Sequence, residues 1–492
     1  MKPIIELKAI MIVALLAWTV ALTPARAYSA VEEISVTLIK NVNVWDGIAD
    51  DVKPGVDVLV VGNKIKKVAQ DIPTSGTYEV DVQSAQSKTI EFNQPGAYTY
   101  TVKYIGGDEP GTKTYPVNVI DGKGATLMPG LIDMHTHVSL SRGIADMRDK
   151  WDAWSGGAMA YETMKEKYLL RGFTSIRDIG GAALGLSRAL QAGVISGPRL
   201  WAAGPTISQT AGHGDWSTLN EPYKQGPFIM ERLGQTRIVN GVPEVLKAVR
   251  TNLKEGAAFI KVMANGGVAS DFDPLESYGF TLEELKAAVN AASDYGTYVA
   301  VHAYTDETVN RAIDAGVKCI EHGFMAKEET IKRIADEGVV FSWQAYASIV
   351  SFADPASLPG FSEDHIRKAT VINENAKKVP GWLKKYGVKV VAGSDLYFYN
   401  TLDEVMKDIT IKEEFVTPVE ALRMHTSTAG EVLAMSGPKN LYKEAKLGVV
   451  EEGAFADIVL FDGKPLKGLK VLEEFDRMKF VMKDGKIYKN TL

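Results

Sequence analysis

The stretch "LMPGLIDMHTHVSL", Leu127 to Leu140, is an apolar run closing on two histidines two residues apart. On a strand, residues i and i+2 point to one face, so His135 and His137 aim at a single spot. What surrounds that stretch decides what the spot is.

Downstream, short apolar runs recur: "FTSIRDIG", "RLWAAGPTI", "FIKVMANGG", "YVAVHAY", "CIEHG", "VVFSWQAY" and "VKVVAGSD". Helix-like segments separate most of them. In "TLEELKAAVNAASDYG", Thr281 is an N-cap, Glu284 completes a capping box, and Gly296 marks the end. Eight strands alternating with helices over residues 127–434 predict an α/β fold, a parallel (β/α)8 TIM-like barrel, with a doubly wound open sheet as the rival arrangement. Both flanks read differently. "VTLIKNVNVWDG" and "VDVLVVGNKIKKVA" on one side, and "ADIVLFDGKPL" and "FVMKDGKIY" on the other, are β-like, the last with a hairpin turn at "KDGK". Residues 28–126 and 435–492 are therefore expected to build one small β-sandwich domain from both termini.

Residues 1–27 stand apart. Lys2 and Lys8 precede an uncharged apolar run, Ala9 to Leu22, and a small-x-small pattern follows at Ala25 and Ala27. This layout predicts a secretory signal peptide cleaved after Ala27, hence a secreted or periplasmic protein. The run of 14 residues is short of the roughly 20 that span a bilayer, so no membrane association is expected after cleavage. The one cysteine, Cys319, can form no intrachain disulfide. Formal charge is −6 overall and is spread out; with no basic stripe, nucleic acid is not an expected partner.

The predicted strand ends carry an unusual set: His135 and His137 on the first, Lys261 on the fourth, His302 on the fifth, His322 on the sixth, Asp395 on the eighth. Barrel chemistry is built at that rim. Taken singly, each has a bland reading. A lone histidine in "CIEHG" is commonly a core residue, and Asp395 in "AGSD" is a good helix cap. Together they are four of the seven histidines with a carboxylate, the donor types that divalent transition metals select. Lys261 would be costly as an unpaired buried cation. Addition of carbon dioxide to its amine gives an anionic N6-carboxylated lysine whose two oxygens can bridge two metal ions.

"GLIDMHTH", "FIKVMANGG", "VHAY", "IEHG" and "AGSD", in that order and spacing, resemble the metal-dependent amidohydrolase superfamily. The wording "IKVMANGGVAS…FTLEELKAAV" is similar to its Xaa-Pro/Xaa-Arg dipeptidase (prolidase-like) group, to which the secreted fungal ochratoxinase is related. The resemblance covers nearly everything after residue 27 except about 83–119, which looks like an inserted β-hairpin. It implies that His135, His137 and Asp395 hold a more buried metal, usually zinc, that His302 and His322 hold a second, and that carboxylated Lys261 bridges both. It further implies a metal-bridging hydroxide as nucleophile, with Asp395 passing its proton to the leaving amine. A small-molecule or peptide substrate and a homo-oligomer are expected on the same ground.

Substrate contacts are read more coarsely. His213, in "QTAGHGDW" after the third strand, is assigned to polarising the carbonyl or orienting the peptide, and Tyr346, in "SWQAYAS", to a substrate carboxylate. Tyr278 and Arg237 lie on other long rim loops, and His365 in "SEDHIRKA" reads as a helix-surface residue. The expected activity is hydrolysis of dipeptides or N-acyl amino acids, ochratoxin-type amides included. Hydrolysis of a lactone, cyclic amide or phosphotriester on the same site, and an inactive binding scaffold, are the competing readings.

Overall fold

The computed structural model describes residues 35–73, 77–82, 86–93, 99–105, 112–221, 226–358, 360–396 and 401–492. The expected signal peptide lies outside them.

Every residue of Leu131–Thr136 is buried, the mark of a strand covered on both faces as parallel sheets are. We label this strand β1. Seven later strands are β2 (Phe173–Asp178), β3 (Arg199–Ala202), β4 (Ile260–Met263), β5 (Val299–Thr305), β6 (Cys319–Met325), β7 (Val340–Trp343) and β8 (Val390–Ala392), with two short strands, Thr206–Ser208 and Thr236–Ile238, between β3 and β4. β1 to β3 pair parallel in sequence order, and β4 to β8 do the same in a second sheet. Backbone hydrogen bonds join the two sheets on either side: Ala258 N to Ala202 O at 2.9 Å, and Asp395 N to His135 O at 2.9 Å. The fold is therefore α/β with a parallel arrangement of βα units.

The intervening helices form where the periodicity places them. Leu282–Ser293 begins at the capping box: Thr281 Oγ1 accepts from Glu284 N at 3.2 Å and Glu284 Oε2 accepts from Thr281 N at 2.9 Å. It stops at Ser293, three residues before Gly296, which takes a φ of 71°.

The chain ends meet in one sheet. Val36–Val44 pairs with Lys53–Val61 and, in parallel, with Thr126–Pro129. Thr126–Pro129 pairs antiparallel with Ile458–Phe461, which continues to Met478–Lys483 and Lys486–Asn490. Where a sandwich was expected, hydrogen bonding links these strands into a single sheet of 11. Leu127 thus belongs to this sheet, and the parallel unit starts at Leu131, past Gly130. A Cβ on Gly130 would fall 2.1 Å from Thr174 Oγ1, so only glycine lets the chain cross there. The hairpin expected at 83–119 lies partly outside the described residues. Within them, Thr77–Val82, Gln86–Asn93, Thr99–Ile105 and Thr112–Asp121 form an antiparallel meander. No described helix is long and apolar enough to cross a membrane.

Candidate active site

The C-terminal ends of β1, β4, β5, β6 and the segment after β8 open on one cavity of about 300 Å³. His135, His137, Lys261, His302, His322 and Asp395 all line it. The structure brings together every metal ligand predicted from sequence.

Three of the imidazoles, those of His135, His137 and His302, are each held by one ring nitrogen. His135 Nδ1 lies 2.8 Å from Glu321 Oε2. The burial of Glu321 would raise its carboxyl, but the Arg177 guanidinium, at 2.7 Å from Oε1, and His135 hold it well below the usual range. An ionised carboxylate only accepts, so His135 carries its proton on Nδ1 and turns a bare Nε2 toward Asp395 Oδ1, 3.3 Å away. His137 donates from Nδ1 to Gly180 O at 3.0 Å, leaving Nε2 at 3.6 Å from Asp395 Oδ1. His302 donates from Nε2 to Gly266 O at 3.1 Å and keeps Nδ1 bare. His322 Nδ1 is 3.9 Å from Asp395 Oδ2. Ligand atoms of His135, His322 and Asp395 lie within 4.8 Å of one another.

Burial drives His137, His302 and His322 well below the usual histidine range, so they present lone pairs rather than charge. Burial also brings Lys261 down to about 8 against the pull of Glu321 and Asp395, which makes its amine available as a nucleophile. Asp395 is raised by the same burial. Neutral imidazoles with bare nitrogens, a carboxylate and a deprotonatable lysine are a donor set that fits divalent cations. Two of the residues occupy costly backbone: His322 has φ 76° and Asp395 φ 52°, the left-handed region that non-glycine residues enter with strain.

His213 lines the same cavity, stacked on His302 with centroids 4.2 Å apart and planes 23° from parallel. Its Nδ1 meets Ser270 Oγ at 2.6 Å and Asp273 Oδ2 at 3.3 Å. Burial would raise Asp273, but hydrogen bonds from His213 and Ser270 hold it below its usual range. The wall away from the ligands is apolar, with Leu140, Ile144, Trp216, Phe352, Phe361 and Leu396.

Other expected contacts fall elsewhere. Tyr346 does not line the cavity; it opens a helical turn, Tyr346–Val350, whose geometry swings its hydroxyl to Glu404 Oε2 at 3.0 Å, while its neighbour Ala347 faces the site. Arg237 forks onto Asn252 and Glu255 of the helix Val242–Glu255. Tyr278 is half-exposed beneath the Arg311 guanidinium. His365 caps its own helix through Ser362 and has a side chain only 13% exposed. Two residues that sequence reasoning missed, Glu321 and Arg177, lie directly behind His135. The only cue was a glutamate beside a histidine in "CIEHG".

The model of the amidohydrolase family matches residues 126–488. The chain belongs to the amidohydrolase family. This amidohydrolase is 30% identical over 379 residues to ochratoxinase of Aspergillus niger, an alignment covering 74% of this chain and 75% of that one. Among solved structures, a prolidase complexed with N-methylphosphonate-L-proline superposes with a TM-score of 0.77 at 29% identity, over 93% of this chain and 100% of that one. A Xaa-Pro dipeptidase with methionine bound in its active site gives 0.72 at 27%, with the same coverage. The protein is a hydrolase acting on carbon–nitrogen bonds.

Proposed function

We propose that this amidohydrolase holds two divalent cations, zinc by preference, and cleaves the amide bond of dipeptides or N-acyl amino acids. The convergence of four imidazoles, Lys261 and Asp395 on one cavity carries the reading. His135, His137 and Asp395 would hold one cation and His302 and His322 the other. Lys261 would bridge them as its carbamate, its Nζ bonding the carbon of carbon dioxide and losing one proton. When bound, such cations supply Lewis acidity toward the scissile carbonyl and toward a water molecule. Asp395, its Oδ1 facing Nε2 of His135 and of His137, takes a proton from the attacking water and gives it to the departing amine. His213 orients the substrate beside His302, and the apolar wall receives an uncharged side chain. The hydrogen bonds joining the two parallel sheets support a closed barrel of eight strands. The layout of residues 1–27 supports action outside the cytoplasm.

The test is purified protein reconstituted with zinc and bicarbonate, analysed for metal and screened with dipeptides and N-acyl amino acids for released amine. About two metal equivalents per chain with amine release are expected. No bound metal would leave a scaffold, and turnover of lactones without any amide would overturn the amide assignment.

A further inference from the structure

The loop Gly267–Asp273 does more for His213 than support it. Ser270 and Asp273 are 5% and 1% exposed, so their polar groups answer to each other rather than to water. Ser270 Oγ lies 2.7 Å from Asp273 Oδ2 and 2.6 Å from His213 Nδ1. An ionised carboxylate accepts only, and a hydroxyl has one proton. That proton is directed at Asp273, so the remaining short contact requires His213 Nδ1 to donate to Ser270 Oγ. The same Asp273 oxygen accepts Gly267 N at 2.7 Å, which fixes the loop's shape. Gly267 is part of the arrangement: a Cβ there would sit 2.1 Å from His213 Cε1 and Nδ1, so the ring lies flat on a backbone that only glycine leaves open. From outside, the buried Lys368 of the helix Glu363–Ala376 donates to Ser270 O at 2.9 Å and ties the loop down.

We infer that Ser270 and Asp273 are positioning residues that hold His213 through its Nδ1–H, with Nε2 turned to the cavity. Held in this way, the ring presents its Nε2 edge to the substrate and orients the peptide beside His302. The inference rests on the reading of the cavity as an amide-binding site, but the Nδ1 hydrogen bond itself does not.

The experiment uses the zinc-reconstituted full chain with ¹⁵N-labelled histidine, the His213 signals being assigned by their loss in His213→Gln. Wild type is expected to show a protonated Nδ1; Ser270→Ala and Asp273→Asn are expected to shift His213 toward an unprotonated Nδ1 with metal content unchanged. An unprotonated Nδ1 in wild type, or the same Nδ1 state in all three proteins, overturns the proposal. On a turned-over dipeptide, Asp273→Asn should lower kcat/KM on the order of tenfold to a hundredfold, and the double variant with His213→Ala should be no worse than His213→Ala alone. Additive losses would mean that Asp273 acts independently of His213 and would also overturn it. Absence of any amide turnover would fail the substrate reading alone, since the spectra decide the Nδ1 state without it.

Discussion

His135 depends on a chain of buried charge: Arg177 holds Glu321, and Glu321 holds the imidazole proton that keeps Nε2 bare. Partners behind metal ligands set ligand orientation and basicity. Glu321→Gln should therefore weaken metal binding by about 10- to 100-fold, read by competition with a chelator, while the protein stays folded. Arg177→Leu is more severe, because it strands a fully buried carboxylate. It should cost about 3–5 kcal/mol, measured by denaturant unfolding. Lys261→Ala should remove bound metal and activity together, with partial recovery on addition of a short carboxylic acid. Wild-type metal content in that variant would count against bridging. At this scale the sequence showed His135 and His137 plainly, because strand alternation put both on one face. It hid Glu321 for the same reason: alternation sends it away from His322. The left-handed φ of His322 breaks that alternation, so that His322 reaches the cavity while Glu321 stays behind His135, and no pattern of apolar residues encodes such a break.

Strand ends place the ligands, and they do so through close backbone contact. Gly393, just past β8, lies so near β1 that a Cβ would meet His135 N at 2.2 Å. Gly393→Ala should push the two strands apart, lowering both metal occupancy and the thermal midpoint; unchanged occupancy would show that the ligand geometry tolerates the shift. The helix cap is separable from this. Thr281→Ala removes the acceptor for Glu284 N and should cost about 1 kcal/mol of stability without touching metal content. Strands and the capped helix were readable because periodicity and caps are local. The turn after β7 was not. "SWQAYAS" reads as a strand running on to a tyrosine, but the chain coils at once into Tyr346–Val350, and a one-residue change of phase hands the cavity to Ala347.

Across the whole molecule, the parallel unit and the sheet built from both chain ends are joined by Arg199 of β3. Its guanidinium contacts Asp457 at 3.0 and 3.2 Å and Asp484 at 2.6 Å, and lies 3.9 Å over the Phe455 ring. Arg199 and Asp457 are each about 3% exposed at the side chain, so Asp457→Ala should destabilise by about 3 kcal/mol, read as a lower denaturant midpoint. That the chain ends share a domain was legible from their common β-like style. Their merger into one sheet was not, because pairing between residues more than three hundred positions apart leaves no local trace. We propose that side chains distant in sequence share a pair of cations. That sharing is tested most directly by anomalous diffraction at the zinc edge from crystals of protein reconstituted with zinc and bicarbonate. Two peaks within the ring formed by His135, His137, His302, His322 and Asp395, with added density on Lys261 between them, are the predicted result. An unmodified Lys261 with no anomalous peak in that ring would contradict it.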